Sequence, residues 1–248
     1  MAYALKFGTY SFPPTFYPAQ EPSGAVVPMS KLPGGAGSRV SGRSLNGKVL
    51  QVEGGLVQND TTPLRNQIDV MKAALQGSQS LYFEDDRYWK EAQLRDFEVR
   101  YEGTGFGRWA RVALSFVTGD PYQYSTAVST SSTSITASGQ SISLTNGGNA
   151  PALPQYALTV AGSGTVNLAL TLTNTTTGEV CLLNGAVTGG DVITIDALAE
   201  NVLRGSSAGI SLFDGVFPSL ASGANALTIA YTSGSISNLT ITYRARWY

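Results

Sequence analysis

The densest ionisable cluster in the chain is Glu84-Asp85-Asp86-Arg87, three adjacent carboxylates beside a guanidinium. Neighbouring carboxylates can ligate a divalent cation, or split their pKa values for acid–base work such as glycoside cleavage through Glu84 or Asp86. No second acidic motif stands at a matching spacing, so the cluster reads as a polar turn between strands, with Arg87 offsetting part of the charge. The chain has no histidine. That excludes Ser–His and Cys–His nucleophiles and histidine-ligated metals, and leaves carboxylate, lysine or tyrosine chemistry. A second charged set, Asp96, Glu98, Arg100 and Glu102, alternates with Phe97, Val99 and Tyr101. Gly103-Thr104-Gly105-Phe106-Gly107 follows, with glycine spacing like that of a phosphate loop. It joins strand to strand, however, and has no helix N-terminus to present amides to an anion. No catalytic residue, cofactor site or metal site is expected.

These groups need a scaffold, and the scaffold is mainly β. The chain of 248 residues is 42% hydrophobic, 13% charged and carries a net charge of −1. Apolar content is ample for a core, and no global electrostatic case exists for nucleic acid or an anionic membrane. The lone Cys181 has no intrachain disulfide partner, which fits synthesis in a reducing compartment. No signal peptide and no apolar run of membrane-spanning length is evident. Thr61–Gly77 is the one helix: Thr62 as N-cap, Pro63 at the first helical position, and Leu64, Ile68, Met71 and Leu75 as one apolar stripe. Gly77 ends it in a left-handed conformation. A helix this short must pack on something, and the flanking strands provide a sheet.

Ala4–Phe7, Lys48–Leu56 (closed by Gly54-Gly55), Ser80–Phe83, Ala92–Glu102 and Arg108–Val117 read as strands, the last two as a long amphipathic hairpin. Residues 11–43 hold most of the prolines with Phe12, Phe16 and Tyr17 among them. Such a Pro-rich arm is either a solvated loop or an arm laid on a neighbouring subunit. Past Tyr122 the composition changes: residues 1–122 carry 13 basic and 12 acidic side chains, residues 123–248 only 3 and 5. Residues 123–145 are Ser/Thr-rich, a linker or in part an edge strand around Ile135 and Ile142. From residue 146 short apolar runs recur at Tyr156–Val160, Val166–Leu172, Glu179–Leu183, Asp191–Ile195, Ala226–Tyr231 and Leu239–Tyr248. Thr177-Gly178, Asn184-Gly185 and Ser233-Gly234 supply turns, and Ala197–Arg204 is a helical turn or an irregular excursion. The pattern predicts a jelly-roll-like sandwich over 146–248.

Three blocks carry a family resemblance. The first runs from Gly42–Gly55 through the helix to Leu81-Tyr82-Phe83-Glu84-Asp85-Asp86-Arg87. The second is Val112–Tyr122, ending Phe-Val-Thr-Gly-Asp-Pro-Tyr. The third combines Asn146-Gly147-Gly148-Asn149-Ala150-Pro151-Ala152, Thr173–Gly178, Phe217-Pro218-Ser219-Leu220 and Tyr243-Arg244-Ala245-Arg246-Trp247. In order and spacing they resemble the distal tail (Dit) proteins of long-tailed, siphovirus-type phages. The resemblance implies a tail-tube-like β-sandwich with one flanking α-helix and a long β-hairpin over residues 1–122. It also implies a galectin-like or carbohydrate-module-like sandwich at 146–248. It further implies a structural virion protein, made in the host cytoplasm and placed at the distal end of the tail. That protein would be a ring, a homohexamer, around the DNA channel, joining the tail tube protein to the tail-tip hub and anchoring receptor-binding or side-fibre proteins.

On that reading Asp96, Glu98, Arg100 and Glu102 line the channel, or form an ordinary solvated strand face. Net acidity would let DNA pass without specific binding, because phosphate affinity comes from basic contacts. Phe12, Phe16 and Tyr17 are then the candidate inter-subunit arm. The alternative function is a carbohydrate-binding adhesion module, resting on Tyr231, Tyr243, Trp247 and Tyr248.

Overall fold

The computed structural model describes residues 5–20, 25–26, 29–31, 38–40, 44–45, 48–58, 61–102 and 108–248. The Gly34–Gly37 run, the glycine turn at 103–107 and the first residues of the strand expected at Ala4 lie outside them. The chain divides into two units, Met1–Thr126 and Ala127–Tyr248.

The first unit has strands β1 (Lys6–Phe7), β2 (Tyr10–Ser11), β3 (Tyr17–Gln20), β4 (Ala25–Val26), β5 (Met29–Lys31), β6 (Ser38–Val40), β7 (Ser44–Leu45) and β8 (Lys48–Val57). Helix α1 (Thr61–Ala74) follows, then β9 (Ser78–Tyr82), β10 (Arg87–Glu102), β11 (Trp109–Thr118) and β12 (Gln123–Ser125). The main sheet runs β2-β1-β9-β10-β11-β8-β3, antiparallel throughout, with β12 paired to β10. Alternation decides its faces: Leu50, Val52 and Leu56 on β8 and Ala110, Val112, Leu114 and Phe116 on β11 are buried, and their neighbours point the other way. The stripe of α1 covers that apolar face, with Leu64, Ile68, Met71 and Leu75 at no more than 2% exposure.

Several local details differ from expectation for physical reasons. The helix starts at Thr61, so Thr62 sits inside the first turn rather than at the N-cap, and Pro63 is still within the amides that have no intrahelical partner. Gly77 does adopt φ +79°, and the Gln76 side chain donates to Lys72 O (2.9 Å), satisfying one of the last carbonyls. Gly54-Gly55 does not close its strand. The ring of Phe16 lies on Gly54, where a Cβ would stand within 2.4 Å of it, and β8 runs on to Val57. The strand expected to begin at Ala92 begins at Arg87, because a bulge at Glu91 (φ 52°) absorbs one register shift and lets the ladder with β9 continue.

The Pro-rich arm is not a simple loop. The β3–β8 ladder is followed by β4 with β7 and β5 with β6, three nested antiparallel pairings of one hairpin. Phe12 and Phe16, expected as a solvated loop or an inter-subunit arm, pack inside their own unit. They are 7% and 3% exposed and join Phe7 and Phe116 in the core of their own unit, because the turn at Pro13–Thr15 folds them back over β8. Tyr17 alone of the three is exposed.

The second unit is a two-sheet sandwich. Its strands are β13 (Ser129–Ser134), β14 (Gln140–Asn146), β15 (Gln155–Val160), β16 (Thr165–Asn174), β17 (Glu179–Thr188), β18 (Val192–Asp196), β19 (Asn201–Arg204), β20 (Ser207–Ala208), β21 (Phe213–Gly215), β22 (Gly223–Ser233), β23 (Ile236–Tyr243) and β24 (Arg246–Trp247). One sheet is β13-β23-β15-β18-β19-β20 and the other β14-β22-β16-β17-β21. Between them lies an aliphatic core that includes Leu158, Leu170, Leu172, Leu183, Ile193, Ile195, Leu227, Ile229 and Leu239, with Cys181 buried among them. The Ser/Thr-rich stretch is therefore in large part strand: β13 and β14 edge the two sheets, with Ile135 buried just past β13 and Ile142 and Leu144 buried on β14.

Asn184-Gly185 is not a turn. It lies mid-strand in β17, where Gly185 leaves room for Leu212 to pack. Ala197–Arg204 resolves into a turn held by Asp196, whose Oδ1 accepts from the amides of Leu198 and Ala199, and the short strand β19.

Candidate functional site

The acidic turn is exposed and ion-paired to its neighbours. The Asp85 side chain is 81% exposed and meets Lys6 at 3.8 Å, and Asp86 meets Arg87 Nε at 3.6 Å. Among the described residues no group of carboxylate or cysteine side chains is arranged to hold a metal ion.

The charged hairpin is organised differently. Helix α1 covers one face of the sheet, so side chains on the opposite face of β8, β11 and β10 stand in solvent. Register sets them in rows: Gln51 with Ser115 and Asp96, Glu53 with Ala113 and Glu98, and Gly55 with Arg111 and Arg100. The four expected residues, Asp96, Glu98, Arg100 and Glu102, therefore do share this outer face. Two residues join them that no local pattern announced: Glu53 and Arg111, brought in by strand pairing. The face carries Glu53, Asp96, Glu98 and Glu102 against Arg100 and Arg111. Arg111 Nη2 donates to Glu53 Oε2 at 2.7 Å, and Arg100 Nε to Glu98 Oε1 at 2.8 Å. The Glu53 carboxylate raises the pKa of the Arg111 guanidinium further above its ordinary value.

The hairpin also outruns its neighbours. β10 pairs with β9 only between Tyr88 and Gln93, while β11 follows it to Glu102. Among the described residues, the stretch Asp96–Glu102 has a strand on one side only. Tyr101, on the inner face at that end, is 52% exposed because the helix does not reach it.

In the second unit the sequence blocks meet through buried amides. Asn146 Nδ2 donates to Ala150 O (2.9 Å) and Leu220 O (3.1 Å), and its Oδ1 accepts from Gly148 N (3.0 Å). Asn174 donates to Ser219 O at 2.6 Å, and Asn225 both donates to and accepts from the backbone of Ala221. Glu179 accepts from Ser219 N (2.7 Å) and Ser219 Oγ, and the Tyr156 hydroxyl donates to Pro218 O (3.1 Å). Arg246 Nε donates to Pro151 O at 2.6 Å. Burial, with Glu179 nearby, raises the Tyr156 pKa well above the tyrosine range. These groups are spent on one another and on loop backbone. They hold the 147–152, 174–178 and 217–222 loops in place.

Of the four aromatics weighed for sugar binding, Tyr248 is 45% exposed and Trp247 is half-buried. Tyr243 is 8% exposed with its hydroxyl donating to Thr145 O, and Tyr231 is half-buried against the core.

Comparison with known proteins agrees with this architecture. Residues 147–247 match the family described as the siphovirus-type tail component, C-terminal domain. The whole chain superposes on the crystal structure of the SPP1 Dit (gp 19.1) protein, described as a paradigm of the hub adsorption apparatus in Gram-positive infecting phages. The TM-score is 0.76 at 17% identity, over 100% of both chains. Chains of the phage P2 baseplate in its activated conformation, with Ca or Sr, align over 98% and 96% of this chain and 90% of theirs. Their identities are 9% and 8% and their TM-scores 0.41 and 0.40, too low to carry weight. No curated protein matches the chain in sequence. The resemblance to distal tail proteins, and the mainly β fold expected from it, are thereby borne out.

Proposed function

We propose that this chain is a non-catalytic structural protein of a phage tail, a distal hub whose first units close into a ring around the DNA channel. The observation that carries the ring is the one-sided edge of β10. Along Asp96–Glu102, alternate residues turn their backbone N–H and C=O groups away from β11, and among the described residues no strand takes them. An open strand edge invites another strand, and a closed ring of copies removes every such edge. The outer face of β8, β11 and β10 then turns to the lumen, with Asp96, Glu98, Arg100 and Glu102 among its lining residues. The apolar face stays under α1. The ring is proposed as a homohexamer, the copy number that the sequence resemblance to distal tail proteins implies. The tail tube protein and the tail-tip hub are the axial partners, receptor-binding or side-fibre proteins attach through the second unit, and the tail's distal end is the location.

Light scattering of the purified chain, with negative-stain images, tests the assembly. A closed ring near six times the 26.0 kDa chain mass, with an open centre, is the expected result. A monomer at every concentration, including in the presence of tail tube protein, would overturn it.

A further inference from the structure

Arg100 and Arg111 face each other directly across the β10–β11 ladder, on the solvent side of the sheet. Opposed residues of an antiparallel pair have Cβ atoms about 5 Å apart, and like charges placed so repel. Two guanidiniums at that separation are also a phosphate clamp, since each presents a planar fork of donors to an oxyanion. Each is occupied. Glu98 lies two residues along the same strand and takes Arg100 Nε at 2.8 Å. Glu53 lies diagonally across β8 and takes Arg111 Nη2 at 2.7 Å. Glu102 and Asp96 stand on the same face beyond them.

We infer that Glu53 and Glu98 mask an arginine pair that would otherwise clamp duplex DNA, keeping the channel face non-adhesive. The inference rests on the proposed ring, in which DNA moves past this face. It goes further by assigning the effect to two ion pairs rather than to net acidity. A surface with diffuse negative charge slows entry of a polyanion. Locally neutralised arginines leave no phosphate site at each subunit, whatever the net charge of the face.

The test is duplex DNA binding, measured by fluorescence anisotropy at about 50 mM salt with a labelled oligonucleotide. The variant E53Q/E98Q keeps side-chain size and frees both guanidiniums. It should bind at least about tenfold more tightly than the natural chain, and its affinity should fall steeply with salt. Adding R100Q and R111Q should return binding to the starting level. D69N/E84Q changes charge equally, on helix and turn positions away from this face, and should leave binding unaltered. No gain in E53Q/E98Q, or an equal gain in D69N/E84Q, overturns the masking. Light scattering keeps the two proposals separable: a chain that gains DNA affinity only when unmasked, yet stays monomeric at every concentration and with tail tube protein present, sinks the ring and leaves the mask standing.

Discussion

At the residue scale, the chain uses its polar side chains to fix backbone rather than to react. Asn146, Asn174 and Asn225 are buried, at 1%, 0% and 3% exposure, and each bonds loop backbone. Asn174→Ala strips Ser219 O and Thr176 N of their partner inside the protein, so it should cost about 1–3 kcal/mol, read as a fall in Tm. Gly54→Ala places a methyl into the Phe16 ring, and overpacking of that kind should cost about 1–3 kcal/mol in urea denaturation.

Cys181 gives a pH prediction. Burial pushes its thiol up to about 12 from 9. The folded state therefore holds a proton that the unfolded chain releases above pH 9. This stabilisation is complete below that pH and is lost as pH rises towards 12, at up to about 1.4 kcal/mol per unit. Cys181→Val should flatten that part of the alkaline stability limb, and the natural thiol should react with a thiol reagent only on unfolding.

At the element scale, pattern was a reliable guide wherever one face is buried. The stripe of α1 and the alternation of β8 and β11 appear in the structure with the predicted faces inward. Met71→Ala, at a fully buried helix position, should cost about 2–5 kcal/mol. Boundaries and turns were less legible. A bulge at Glu91, a helix start two residues early and an Asn-Gly pair held mid-strand all depend on what packs opposite. The Ser/Thr stretch is the sharpest case. With no charge and few large side chains, its composition resembles a linker, yet Ile135, Ile142 and Leu144 drive it to the edges of both sheets. A chain beginning at Gly147, the start of the family match, lacks β13 and β14 and uncovers the core beside β22 and β23. It should aggregate or show poor amide dispersion in a proton–nitrogen NMR spectrum, whereas residues 127–248 should fold and melt cooperatively.

At the scale of the whole molecule, two units of different character share one chain. The first carries most of the charge, the helix, the hairpin arm and an open strand edge. The second is a nearly uncharged sandwich whose loops are locked by amides. That division suits a scaffold in which one half assembles with copies of itself and the other presents a surface to other proteins.

The amino-acid sequence by itself determined the fold class, the helix after Thr61 and its buried stripe, the amphipathic hairpin and the absence of histidine chemistry. Each of these is written in local periodicity or composition. Only the tertiary structure decided which residues meet. Glu53 lies 58 positions from Arg111, and Asn174 lies 45 from Ser219. Phe12 and Phe16 looked like an exposed arm until Gly54 was seen to leave bare backbone for a ring to cover. Strand register and close packing create such contacts, and neither leaves a periodic trace in the chain.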